Sequence, residues 1–251
     1  MRNYLRAECS KAFRRFYFHM ALLVGLLGVG LLLLSCWLTY HWGNSGISFQ
    51  STAQMLVVVL SVGLYATLLT GDIVFSEQYK NNTLKNEVSY GLPRARIYLG
   101  KLLVALLVAL AACAALLAVY LGGCWVLFPH GEGDGAVMQA LGYCLAGAFP
   151  LWLGGQGLVM MCYFLVNSST AAAFTAVGVM AVLPAIFQVL GLLLHPAFEL
   201  VRQFMPVVML ENLRGMLFDW RYVGLCWLVG LCWLAVSTAV GLAAFKKREV
   251  R

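Results

Sequence analysis

Apolar residues run in six long blocks along the 251-residue chain, at 18–40, 53–75, 102–128, 137–166, 170–194 and 222–245. A helix that crosses a bilayer needs about 20 mostly apolar residues, and each block reaches that length. Five blocks contain no Asp, Glu, Lys or Arg, and the second contains Asp72 alone, close to its end. The polar segments between them are short. The pattern predicts an all-α integral membrane protein, a single domain over 1–251 with six transmembrane helices and no room for a soluble domain. The first block follows basic residues, as a signal peptide would. It is longer than a signal h-region and no small-residue cleavage pattern follows it, so it reads as an uncleaved helix.

Composition agrees. The chain is 62% hydrophobic and 11% charged, with mean hydropathy +0.85. A soluble domain is about 45–50% apolar and about 25% charged. Soluble enzymes, disordered proteins and nucleic-acid modules are excluded as classes. The net charge of +7 is explained by where the cations lie. Of 17 Lys and Arg, five fall in 1–17 (Arg2, Arg6, Lys11, Arg14, Arg15), five in 76–101 (Lys80, Lys85, Arg94, Arg96, Lys101) and four in the tail 246–251 (Lys246, Lys247, Arg248, Arg251). The alternate loops hold Arg202, Arg214 and Arg221. The positive-inside rule then places both termini in the cytoplasm and the protein in the cytoplasmic membrane, with no nucleic acid needed as a partner. Trp37, Tyr40 and Trp42, Trp125 and Phe128, and Trp220 and Tyr222 mark headgroup depth at the outer ends of spans one, three and six.

The eight cysteines form no CxxC pair, and seven lie in or beside apolar runs. They read as small buried residues, with no disulfide framework and no metal site.

Four segments are not spans. In 1–17, Leu5, Cys9, Ala12, Phe13 and Phe16 recur at helical spacing, while Arg6, Lys11, Arg14 and Arg15 mostly face elsewhere. This is a basic amphipathic helix suited to the headgroup plane; a solvated leader that only sets topology is the plainer alternative. In 76–101, Asn82 or Thr83 can cap a helix start, Leu84 and Val88 share a face, Gly91 suits the left-handed position after a helix end, and Pro93 can open the next helix. In 195–221, Phe198, Val201 and Met205 share one face, Pro206 interrupts, and Met209, Leu213, Met216 and Leu217 share a second. Two short helices follow, either inserted among the spans or lying flat on the outer leaflet. The tail 246–251 is short and basic.

The loop 76–101 resembles the cytoplasmic coupling region of type-2 ABC (ATP-binding-cassette) exporter permeases. That family shows an acidic residue, Gly-Thr, a basic helix, a small–Gly turn, Arg, and Gly-Lys opening span three. This chain has Glu77, then Asn81-Asn82-Thr83-Leu84-Lys85, then Ser89-Tyr90-Gly91, Arg94, and Ile97-Tyr98-Leu99-Gly100-Lys101. It departs at Asn82, where glycine is frequent, and Asn also tolerates left-handed backbone. The resemblance implies an N-terminal elbow helix, six spans arranged as 18–75, 102–194 and 222–245, a cytoplasmic coupling helix and an outer re-entrant helical pair over 195–221. It implies that Glu77, Lys80, Asn82, Thr83, Lys85, Glu87, Gly91 and Arg94 couple to an ATPase. It also implies that spans one, two and five line the substrate path, and that Phe198, Met205, Pro206, Met209 and Leu213 belong to an outer gate.

Within the spans, Asp72 is the ionisable candidate, open to pairing with Lys80, Lys101 or an elbow arginine, or to a coupling or proton-relay role. Gln156 sits in Gly154-Gly155-Gln156-Gly157 after Pro150, a cluster that bends span four or admits another helix. There is no GxxxxGK[ST] phosphate loop, no GxSxG serine and no HExxH, so no catalytic role is expected of this chain. ATP and Mg would be held by two copies of a separate ABC ATPase, paired with two permeases, identical or homologous, in the lipid bilayer. The expected function is export of an amphipathic or lipophilic drug, peptide or lipid. The alternative is an ion-gradient-driven carrier or channel subunit, which would usually bury several charges at mid-membrane.

Overall fold

The computed structural model describes residues 2–43, 46–80, 83–166, 168–215 and 218–247. All regular structure among them is helical: α1 (Arg2–Phe13), α2 (Phe16–His41), α3 (Phe49–Lys80), α4 (Thr83–Ser89), α5 (Arg94–Leu127), α6 (Asp134–Leu165), α7 (Ser169–Val177), a π-helical turn (Gly178–Val182), α8 (Leu183–Leu193), α9 (Ala197–Gln203), α10 (Pro206–Leu213) and α11 (Trp220–Lys247). Six helical stretches are long and apolar enough to cross a membrane: α2, α3 up to Phe75, α5, α6, α7 through α8, and α11. They coincide with the six apolar blocks. The helices outrun the blocks wherever charges flank them. α5 begins at Arg94, because Pro93 fixes the backbone at its N-cap and helical hydrogen bonding continues through Arg96 and Lys101.

The two ends of the bundle differ. One end, here the terminal end, gathers α1, α4, the start of α5 and the close of α11; the far end holds the α5–α6 turn and the start of α11. α6 forms the centre and makes its most extensive contacts with α11 and α3. α6 and α11 run side by side in the same direction, Pro150 meeting Gly230 and Gly157 meeting Ser237. Glycine makes this possible. A Cβ on Gly230 would lie 2.2 Å from the Pro150 carbonyl oxygen, and one on Gly154 would lie 2.9 Å from the Gly230 oxygen. Of the two roles open to the Gly154–Gly157 cluster, close approach of another helix is the one observed; its partner glycine lies 76 residues away, on α11, and no local pattern marks it.

α1 is amphipathic as expected, and its apolar face is turned inward. Leu5, Cys9, Ala12 and Phe13 pack into the protein's own core, so Arg2, Arg6 and Arg14 are left exposed. Phe16 belongs to α2 and is 73% exposed. Arg15, expected on the basic face, lies in the α1–α2 turn. It is buried and its guanidinium donates to the Ile73 carbonyl of α3. The eight cysteines are free thiols.

Backbone atoms cannot yield as a flexible side chain would, so Gly230→Ala overpacks the α6–α11 contact. It should cost about 1–3 kcal/mol, read as a lower melting temperature in detergent. Gly224→Ala, where an added Cβ meets nothing within 4 Å, should melt with the parent protein.

Candidate functional site: a buried lysine shared by three helices

α4 is short, and its ends are set locally. Gly91 takes φ +76°, and its N–H donates to Val88 O, closing the helix. Pro93 then opens α5. Leu84, Glu87 and Val88 face inward, while Lys85, Asn86 and Ser89 are exposed and Tyr90 is 87% exposed. α4 therefore has one face seated on the bundle and one open face carrying a cation, with the exposed Tyr90 ring just past its end.

The inner face is held by charge. Lys101, two turns into α5, is fully buried. Its Nζ donates to Glu8 Oε2 of α1 at 2.9 Å and to Glu87 Oε1 of α4 at 3.0 Å. Tyr4 of α1 donates from its hydroxyl to Glu87 Oε2 at 3.0 Å, and the Lys101 ammonium stands 5.9 Å from the Tyr4 ring centre. Gly100 makes the room, since a Cβ there would sit 2.5 Å from the Tyr4 ring. The Gly100-Lys101 pair thus has a mechanical meaning. Glycine admits the tyrosine of α1, and lysine neutralises carboxylates from α1 and α4. Lys11 stands 3.8 Å from Glu8 and offsets part of the second negative charge. Burial first, then the carboxylates of Glu8 and Glu87, push the Tyr4 phenol well above its ordinary range, so it remains a donor.

The residues expected to couple to a partner divide. Glu87 is an inner ligand of Lys101, Lys85 is exposed, and Gly91 closes α4. Glu77 and Lys80 lie on the closing turns of α3, Thr83 opens α4, and Asn82 lies outside the described residues. Arg94 is engaged within the chain. Its Nη1 donates to the carbonyls of Phe245 (2.7 Å) and Lys246 (2.8 Å), and the guanidinium lies 5.6 Å over the Phe245 ring, capping the end of α11. Arg6 and Arg14 are exposed, and Lys11 is half-buried.

Asp72 accepts from the Tyr163 hydroxyl at 3.4 Å and is faced by Tyr17 of α2. Lys101, one of the cations open to it in the sequence, belongs instead to Glu8 and Glu87. Gln156 is buried, with Oε1 2.5 Å from the Thr70 hydroxyl of α3; its Nε2 has no partner among the described residues.

The second feature is the pair α9–α10. α9 returns along α8, Phe198 stacking on Phe187 with centroids 6.1 Å apart. The turn at Phe204–Met205 is fixed by Trp233 of α11, whose indole N–H donates to Phe204 O at 3.2 Å. Trp233 lies 13 residues beyond Trp220, roughly 20 Å along the helix. The turn therefore sits about halfway down α11. Met205, Met209 and Leu213 are buried, Leu213 against Gly147 and the Met209 carbonyl under the Tyr222 hydroxyl. Pro206 opens α10. Below the turn is an apolar hollow lined by Leu64, Gly155, Met180, Pro184, Met205 and Trp233, with Met180 carried on the π-helical turn.

No local sequence pattern joins Tyr4, Glu8 and Lys101, which lie up to 97 residues apart. The available signal was a carboxylate on the apolar stripe of α1, between Leu5 and Ala12.

Removing the ammonium leaves two largely covered carboxylates without their shared cation. Lys101→Ala should cost about 3–5 kcal/mol, measured as loss of thermal stability in detergent. Gly100→Leu should expel Tyr4 and release α1, seen as faster hydrogen exchange over 3–13. Among known proteins, a family model described as ABC-2 family transporter protein matches residues 4–183, from Tyr4 through the π-helical turn. No curated protein matches the chain. The matched stretch contains Tyr4, Glu8, Glu87 and Lys101, and ABC-2 membrane proteins generally partner with an ABC ATPase. With that match and six apolar helices, the chain belongs to the ABC-2 family of transporter membrane proteins, as an ABC permease subunit.

Proposed function

We propose that this permease serves an ATP-driven exporter in which the open face of α4 docks on a separate ATPase. The Lys101 cluster then passes the displacement of α4 to α1 and α5. The observation that carries this reading is the one lysine shared by carboxylates of α1 and α4. One ion pair, Glu87 with Lys101, joins the helix that carries the exposed face to the second turn of a membrane-spanning helix.

The terminal end is cytoplasmic in this reading, because it carries 14 of the 17 cations. α1 is then the elbow helix, its arginines at headgroup level, and α4 the coupling helix. Two permeases, identical or homologous, work with two ATPases that hold ATP and Mg. Closure of the ATPases moves α4 as a rigid body. α9–α10 is a re-entrant pair acting as the outer gate, supported by the depth of its turn and the Trp233–Phe204 hydrogen bond. Spans one, two and five line the path, and the predominantly apolar spans favour an amphipathic or lipophilic cargo.

The test is co-purification with an ATPase, followed by transport assays in vesicles. ATP-dependent transport insensitive to ionophores supports the reading; transport that persists without ATP and follows an imposed proton or sodium gradient overturns it. Lys85→Glu should cut ATPase recovery about tenfold, a loss of roughly 1.4 kcal/mol, without changing the permease melting temperature. Arg94→Glu should instead lower the melting temperature, because its partners are the last carbonyls of α11.

A further inference from the structure

The far end of the bundle holds another charged contact, independent of the Lys101 cluster and at the surface, with the His130 side chain exposed and Asp134 largely covered. The loop 128–133 joins α5 to α6, and the Phe49 N–H of α3 donates to Pro129 O at 3.1 Å. The His130 ring lies against Trp125 and Phe49, with centroids 4.3 and 5.3 Å away. Its Nδ1 is 2.9 Å from Asp134 Oδ2, which also accepts from the Gly131 N–H at 3.2 Å. Its Nε2 is 2.9 Å from the Trp125 carbonyl oxygen. In a continuing helix that carbonyl would accept from residue 129, but residue 129 is proline and has no N–H to give.

Both partners of the ring are acceptors. A neutral imidazole carries one N–H, so it satisfies one acceptor and turns a lone pair toward the other. Only the imidazolium donates at both nitrogens. Its charge also stands at the carbonyl end of α5 and beside the carboxylate at the start of α6, each favourable to a cation.

We propose that His130 is a proton-operated clasp. Charged, it ties the close of α5, the start of α6 and the start of α3 together. Neutral, it gives up one of its two hydrogen bonds and frees the loop. The groups facing the ring are Asp134 from α6, Trp125 from α5 and Phe49 from α3. Gln50 of α3 packs against Gly133 and carries no charge. Glu132, in the same loop, is exposed. The Asp134 carboxylate is thus the charge set against the ring. Under the orientation proposed above, this end faces outside, so the clasp closes when the exterior acidifies. The clasp itself depends on neither that orientation nor an ATPase, and its test reads the ring and the loop directly.

The full chain, with ring-labelled histidine, is placed in nanodiscs. Nitrogen NMR reports the proton count on the ring, with the His130 signal identified by its loss in His130→Gln. Hydrogen exchange over 128–136, corrected for intrinsic rates, reports the loop. At pH 5.5 both nitrogens should be protonated, and exchange should be about tenfold slower than at pH 8.5, where one proton remains. His130→Gln and Asp134→Asn should each abolish that difference. A single-proton ring at pH 5.5, or a full pH response retained in either variant, overturns the proposal.

Discussion

An ammonium group with no access to water sits where three helices of this protein meet. Its desolvation costs several kcal/mol, which only well-placed counter-charges offset. Lys101 finds them on two elements that would otherwise be loosely held, α1 and α4. A seven-residue helix has little stability of its own. α4 persists because Leu84 is buried, Gly91 closes it, and Glu87 cannot leave without stranding a buried cation. The same requirement seats α1, since Glu8 must reach the same nitrogen and Tyr4 must enter the space over Gly100.

That arrangement suits mechanical transmission better than simple adhesion. Apolar contacts tolerate sliding, because the hydrophobic effect has no direction. A shared cation does not, since its hydrogen bonds fix distance and angle. Displacement of α4 must then be followed by α1 and the start of α5, or be opposed by the cost of separating the charges. The other end of the molecule is built differently. There α9–α10 rests on apolar packing, an indole hydrogen bond to Phe204, a phenol hydrogen bond to Met209 and the Arg214 guanidinium on the Val58 carbonyl of α3, over a hollow at the π-helical turn. None of these bonds joins two opposite charges, and an apolar hollow lies alongside. The proposed coupling and the proposed gate thus lie at opposite ends, with the glycine-paired α6 and α11 between them.

Much of this was legible in the sequence because it depends on local pattern. The six spans follow from run length, α4 from Leu84, Val88, Gly91 and Pro93, and the break between α9 and α10 from Pro206. Contacts between distant segments were not legible. Arg15 and Arg94 read as members of basic clusters, yet Arg15 serves the Ile73 carbonyl and Arg94 the end of α11, 151 residues away. Gly230 has no neighbouring glycine cluster to mark it. Glu8 carries the instructive case. Counting charges by segment sets orientation but cannot separate a carboxylate in solvent from one aimed into the core; its place on the apolar stripe of α1 could have done so.

If the Lys101 cluster couples ATPase movement to the spans, removing its charges should separate hydrolysis from transport. The direct measurement is the ratio of substrate moved to ATP hydrolysed by the assembled complex, with the cluster made neutral by combining Lys101→Met, Glu8→Gln and Glu87→Gln. This replacement leaves no buried charge unpaired, so the variant should fold and bind the ATPase as the parent does. Hydrolysis should continue while substrate moved per ATP falls at least tenfold. An unchanged ratio, in a variant that binds the ATPase normally, would contradict it.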